Sequence, residues 1–111
     1  MELLKIVPAP KGSGKKYEAF FKDKKTGKEK KTPFGARGFQ DYTQHRSIER
    51  RTAYRKRHEK DLKTNDPTRA GYLSLAVLWN KPTLNGSIRD YKRRLNIYNK
   101  TGKFPTEGLL D

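Results

Sequence analysis

Apolar residues in the first third of this chain fall at alternating positions, and later they recur at helical spacing. Leu3 to Val7 is a short apolar run that stops at Pro8-Ala9-Pro10. From Lys16 to Asp23, Tyr17, Ala19 and Phe21 recur at every second position, the signature of a half-buried strand. The Gly-, Ser- and Lys-rich segment Lys11 to Lys16 between them reads as a loop. Asp23-Lys24-Lys25-Thr26-Gly27 is a turn with glycine where a positive φ is needed, and Lys28 to Pro33 returns antiparallel with its lysines outward. A sheet this small needs a helix against its aromatic face.

Phe34-Gly35-Ala36-Arg37-Gly38-Phe39 is the hinge into the second pattern. Its two Phe side chains are expected to anchor the turn, with Arg37 presented between them. A first helix is predicted from Asp41 or Ser47 to about Lys63, because both residues have the chemistry of an N-cap, and a break between Thr43 and Ser47 is consistent with two starts. Ile48, Tyr54, His58 and Leu62 share one arc of it with Arg51 and Arg55, while Arg50, Lys56, Arg57, Lys60 and Lys63 occupy much of the opposite arc. Residues 67–80 are the densest apolar stretch and predict a central helix started by Asp66-Pro67 and stopped at Asn80-Lys81-Pro82. Leu73, Ala76, Val77 and Asn80 line one side of it; Tyr72, Leu75 and Trp79 line another, and Trp79 is read first as core. A third helix is capped by Thr83 and runs to about Asn99, with Leu84, Ile88, Tyr91, Leu95 and Tyr98 at steps of four and three. In it Asp90 and Arg94 form an i,i+4 surface pair, and Gly102 ends the element.

These patterns predict an α+β fold, a small N-terminal antiparallel β-hairpin or three-strand meander packed on a three-helix unit. It is expected as one domain over 1–111, with a β part at 1–34, a helical part at 35–100 and a tail at 101–111.

Composition then narrows the partners. The chain carries 27 Lys and Arg against 12 Asp and Glu, a net charge of +15. Such a chain repels itself and is drawn to anions. Charged residues make up 35%, against about 25% in typical domains. No run approaches the roughly 20 apolar residues of a membrane span, and no signal-peptide core is present, so no membrane span and no secretion are expected. With no Cys there is neither a disulfide framework nor a thiolate metal site.

Enzymatic chemistry has little to build on. His45 and His58 are the only imidazoles, and the Asp41/His45 and His45/Glu49 spacings arise easily in a chain this charged. Gly12-Ser13-Gly14-Lys15-Lys16 lacks both the first glycine and the final hydroxyl of a phosphate loop, and strand, not helix, is expected after it. No catalytic residue, metal site, cofactor or small-molecule substrate is therefore predicted. Residues 46–63, by contrast, hold eight basic side chains against three acidic ones, an imbalance that brings self-repulsion without aiding folding. Arg37, Arg46, Arg50, Lys56, Arg57, Lys60 and Lys63 are the predicted polyanion-binding residues, suited to phosphates more than to reading base sequence. Phe20, Ile97, Phe104, Leu109 and Leu110 are the predicted partner contacts, apolar residues expected to remain uncommitted after folding.

Phe34-Gly35-Ala36-Arg37-Gly38, Asp41-Tyr42-Thr43-x-His45, Glu49-Arg50-Arg51, Tyr54-x-x-Arg57-His58, Thr68-x-Ala70-Gly71-x-Leu73-Ser74, Leu78-Trp79-Asn80-Lys81-Pro82-Thr83-Leu84 and Ser87-Ile88-x-Asp90-Tyr91-Lys92 follow in that order. Over about residues 34–95 this series resembles an uncharacterised family of short basic proteins encoded by large DNA viruses of algae and other protists and by related giant viruses. The resemblance implies a viral setting, since small basic viral proteins of this kind are often virion components. The expectation is thus a non-enzymatic virion structural protein of the minor capsid or internal cement type, found in the virion and the host cell interior. It would bridge acidic surfaces of capsid or other virion proteins, or the genome. The second expectation is a sequence-nonspecific binder of DNA or RNA through phosphate contacts.

Overall fold

The computed structural model describes residues 1–110 and has an α+β fold, a three-stranded antiparallel sheet followed by helices. Strands β1 (Glu2–Pro8), β2 (Lys15–Lys22) and β3 (Glu29–Ala36) lie in the order β1-β2-β3, so the predicted meander is the one formed. Alternation decides its faces: Ala19 and Phe21 of β2 and Thr32 and Phe34 of β3 turn inward and are buried. The register of β1 shifts between Leu3 and Lys5, which leaves Leu3 buried and Leu4 exposed. Gly27, at φ 74°, closes the β2–β3 turn, with its N–H on the Asp23 carbonyl at 2.7 Å.

Both predicted starts of the first helix are used, and they begin separate helices. Asp41 accepts from the Thr43 N–H at 2.9 Å while its own N–H donates to the Gln44 side chain at 3.0 Å, which starts α1 (Tyr42–His45). Arg46 then adopts a left-handed conformation, φ 55°, that ends the turn. Ser47 accepts from the Arg50 N–H at 3.3 Å and starts α2 (Ile48–His58), which tightens into a 3₁₀ segment over Glu59–Thr64.

The central helix begins later than predicted, because Asp66 caps a turn and not the helix. Its carboxylate accepts from the Thr68 N–H at 3.0 Å and from the Thr68 hydroxyl at 2.7 Å. The first helical residue is Ala70. Helix α3 (Ala70–Leu73) widens at once into a π-helical turn, Ser74–Leu78, in which the Trp79 N–H reaches five residues back to the Ser74 carbonyl at 3.1 Å. Helix α4 (Leu84–Thr101) follows the prediction closely, with Thr83 accepting from the Gly86 N–H at 3.1 Å and Gly102 in the left-handed region at its end.

The π-helical turn is the middle of the core. Leu75, Ala76, Val77 and Leu78 are all buried, between the inner face of the sheet and the Tyr91/Leu95 face of α4. No helix among the described residues is long and apolar enough to cross a membrane.

Four expectations need correction. Phe104 and Leu109, predicted as partner contacts, are 2% and 0% exposed. The Phe104 ring packs edge-on against Tyr72 at 5.2 Å and beside Tyr91 at 5.7 Å, so the tail completes the core. Asp90 and Arg94 are not a surface pair. Arg94 is buried, bonds Asp90 at 2.7 Å, and donates to the Pro105 and Glu107 carbonyls at 2.8 and 2.7 Å, which pins the tail to α4. Ile48, placed on the apolar seam, is 60% exposed at the first residue of α2, where no preceding turn covers it. Phe39, expected to anchor the hinge, is 73% exposed, whereas Phe34 alone enters the core.

Candidate functional site

Between the sheet end and α2 lies a cleft of about 580 Å³. One wall is α2, through Arg50, Ala53, Tyr54 and Arg57; the opposite wall is the hinge, through Gly35, Ala36, Phe39 and Gln40. Gly71, Ser74, Leu78 and Trp79 supply the floor. A glycine at position 35 is what lets the hinge lie so close: its φ is 80°, and a Cβ there would sit 2.8 Å from Leu78 Cδ1.

Aromatic rings form a ladder along the α2 side. Tyr54 stacks on Trp79 at 4.2 Å and 5°, His58 on Tyr54 at 4.1 Å and 22°, and His45 leans on Trp79 at 5.2 Å. Burial raises the Tyr54 hydroxyl above the usual tyrosine range despite its hydrogen bond with Ser74. Burial also lowers the His45 imidazole, helped by the positive charge of Arg50, and its Nδ1 accepts from the Ser47 N–H at 2.9 Å. Neutral His45 therefore carries its proton on Nε2.

Behind the ladder, two arginines finish the π-helical turn. Arg55, 2% exposed, donates to the Trp79 carbonyl at 3.2 Å and the Asn80 carbonyl at 3.4 Å, and Arg51 joins it on Asn80 at 3.2 Å. These carbonyls end a helix without helical partners of their own, and guanidinium groups satisfy them where the helix dipole favours a cation. At the other end of the cleft, Lys16 pairs with buried Asp41 at 2.7 Å and reaches Gln44 at 2.7 Å. His58 and Asp61 close the far end, 3.2 Å apart.

The seven predicted cations do not make one face. Arg50 and Arg57, seven residues apart and so on the same side of α2, flank the cleft. Lys60 lines a separate groove with Lys30, Lys31 and Arg69, and Lys63 lies by the tail with Lys103. Lys56 is exposed on α2. Arg37, expected to be presented, instead donates to the Lys15 carbonyl and the Ala9 carbonyl, both at 3.2 Å, and so ties the β1–β2 loop to the hinge. Arg46 donates to the Pro82 carbonyl at 3.3 Å. Among the described residues, no carboxylate lies within ion-pair distance of Arg50, Lys56, Arg57, Lys60 or Lys63.

Of the remaining predicted partner contacts, Phe20 and Ile97 are half-buried and Leu110 is exposed. Phe20 lies on the outer face of the sheet under the Lys5 ammonium, 4.8 Å from its ring centre. Sequence reasoning missed Phe39, Lys15 and the place of Trp79 beside the cleft. Periodicity carries no signal for them, since the cleft joins residues from positions 15 to 79.

The profile of a family of unknown function (DUF5754) matches residues 4–58, from β1 through the last residue of α2. That span includes the hinge and the α2 wall but not the π-helical floor. No curated protein and no solved structure matches the chain.

Proposed function

We propose that this is a non-enzymatic nucleic-acid-binding protein that grips phosphates at the Arg50/Arg57 rim of the cleft and with the lysines around it. The observation that carries this is a division among the arginines. Arg51, Arg55 and Arg94 are turned inward and bonded to carbonyls or to Asp90, whereas Arg50 and Arg57 face solvent with no carboxylate beside them. A cation exposed without a partner on an already repulsive surface is favoured by an anion from outside. The second reading, a virion component cementing capsid proteins, loses Phe104 and Leu109 as anchors and keeps Phe20, Ile97 and Leu110. Both readings are compatible with packaging beside a genome, the setting that the sequence resemblance implies.

The test is binding to duplex and single-stranded oligonucleotides over a range of salt. Log affinity should fall linearly with log salt, by roughly 0.9 per phosphate neutralised on a duplex. Salt-independent binding, or none at low salt, overturns the proposal. Absence of the chain from purified particles overturns the virion setting.

A further inference from the structure

We infer that the cleft holds one unpaired nucleotide of a single strand, its base inside and its flanking phosphates on Arg50 and Arg57. This rests on the nucleic-acid reading above and adds the class of strand to it.

Charge inside the cleft is the first ground. Arg50, Arg57 and Lys15 are exposed along the cleft, while its two carboxylates, Asp41 and Asp61, stand at its two ends. Lys16 neutralises Asp41, and His58 hydrogen-bonds Asp61. The carboxylates of the cleft are thus already engaged, and the positive charge left over sits on the exposed side chains at its edge. A nucleobase is neutral and carries its negative charge outside, on the backbone, which is the distribution the cleft presents in mirror image.

Phe39 is the second ground. At 73% exposed it contributes little to the core, and it stands on the wall opposite the α2 arginines. The rings of Tyr54 and Trp79 already cover each other, with His58 and His45 on their outer faces, so they offer edges to a ligand. Phe39 offers an uncovered face, and stacking of a base on such a ring is indifferent to base identity. The Tyr54 and Ser74 hydroxyls and the Gln40 amide supply donors and acceptors for a base edge. A volume of about 580 Å³ lies within the usual range for a small-molecule site. Paired bases in a duplex stay stacked and do not enter a recess, so a duplex meets the rim alone.

The experiment compares an oligo-thymidine strand with a duplex of equal length by fluorescence anisotropy, while following emission from Trp79, the sole Trp. The single strand should bind at least about tenfold more tightly and quench Trp79, and Phe39→Ala should bring the single-strand to duplex ratio down about tenfold. Phe39→Leu, which keeps the bulk without the ring, should behave like Phe39→Ala, which separates stacking from fold damage. Equal binding of strand and duplex, with no quench and no effect at Phe39, overturns the inference and leaves phosphate binding standing. Binding of polyglutamate in preference to every oligonucleotide overturns both.

Discussion

The rings of Tyr54 and Trp79 lie 4.2 Å apart and 5° from parallel, one in the middle of α2 and the other just beyond the π-helical turn. This stack couples the wall of the cleft to its floor. Tyr54→Ala should cost about 2–4 kcal/mol, the range for losing a large aromatic that is not fully buried plus its ring pair. Tyr54→Phe keeps the stack and should cost about 1 kcal/mol for the Ser74 hydrogen bond. Urea unfolding followed by Trp79 emission measures both, and the native emission of the Ala variant should shift to the red.

Arg55 is expected to be the least replaceable cation in the chain. Arg55→Met takes the guanidinium from the Trp79 carbonyl and leaves the Asn80 carbonyl to Arg51 alone, at about 1–3 kcal/mol for a buried group not rescued by water. Arg55→Lys should recover little, since a single ammonium does not reproduce the fork. Lys56→Ala, one residue along, should stay within about 0.5 kcal/mol of the parent. Equal midpoints for the substitutions at positions 55 and 56 would show that the inward arginine has no structural role.

The tail should behave as core. Leu109→Ala is expected to lower stability by about 2–5 kcal/mol, because the side chain is fully buried. Cutting the chain after Lys103 should cost more, removing Phe104 and the carbonyls of Pro105 and Glu107 that Arg94 bonds. Thermal unfolding of the two variants checks this, and a truncated chain as stable as the parent would contradict it.

Acid should destabilise the protein in two windows. The folded pKa of His45 is lowered below 6.5, so its contribution is present above that pH and fades as pH falls through the folded value. Asp90, half-buried yet bonded by Arg94, Arg93 and Asn80, is held down to about 2. Its contribution is complete above the unfolded value near 4 and is lost towards pH 2, at about 1–2 kcal/mol. Stability measured from pH 8 to 2 should show both declines, and Asp90→Asn should shrink the lower one, to which Asp66, also held low by its Thr68 hydrogen bonds, contributes. A profile flat below pH 4 in the parent would rule out the role of Asp90.

Phosphate contact should be concentrated at two residues. Replacing Arg50 and Arg57 together by Ala should flatten the duplex salt slope by about 1.8 in log–log terms, two contacts at roughly 0.9 each. The same exchange at Lys24 and Lys25, on the turn at the far end of the sheet, should change it less. An undiminished slope in the double variant places the contacts elsewhere.

Strand positions and α4 were legible in the sequence because each carries its own period and caps: Tyr17/Ala19/Phe21 for β2, and Thr83 with Gly102 for α4. The paired starts at Asp41 and Ser47 were legible for the same reason. Burial of Arg55 and Arg94 was not, since their partners are main-chain carbonyls up to 25 residues away, and no side-chain pattern marks a carbonyl. Phe39 misled, being exposed, whereas Trp79 packs against the core as read and borders the cleft as well. Hydrophobicity alone assigns both to the interior, while the geometry of the hinge and of the π-helical turn brings both to the cleft. The cleft is a property of the assembled fold.

The wide turn at Ser74–Leu78 holds one residue more than an α-helical path through the same space would need. Each residue advances a helix by about 100°, so that single addition swings everything beyond it around the axis. Trp79 faces Tyr54 only because of this offset. Deleting Ala76 and letting the segment relax to regular spacing would rotate the indole off its neighbour by more than a quarter turn.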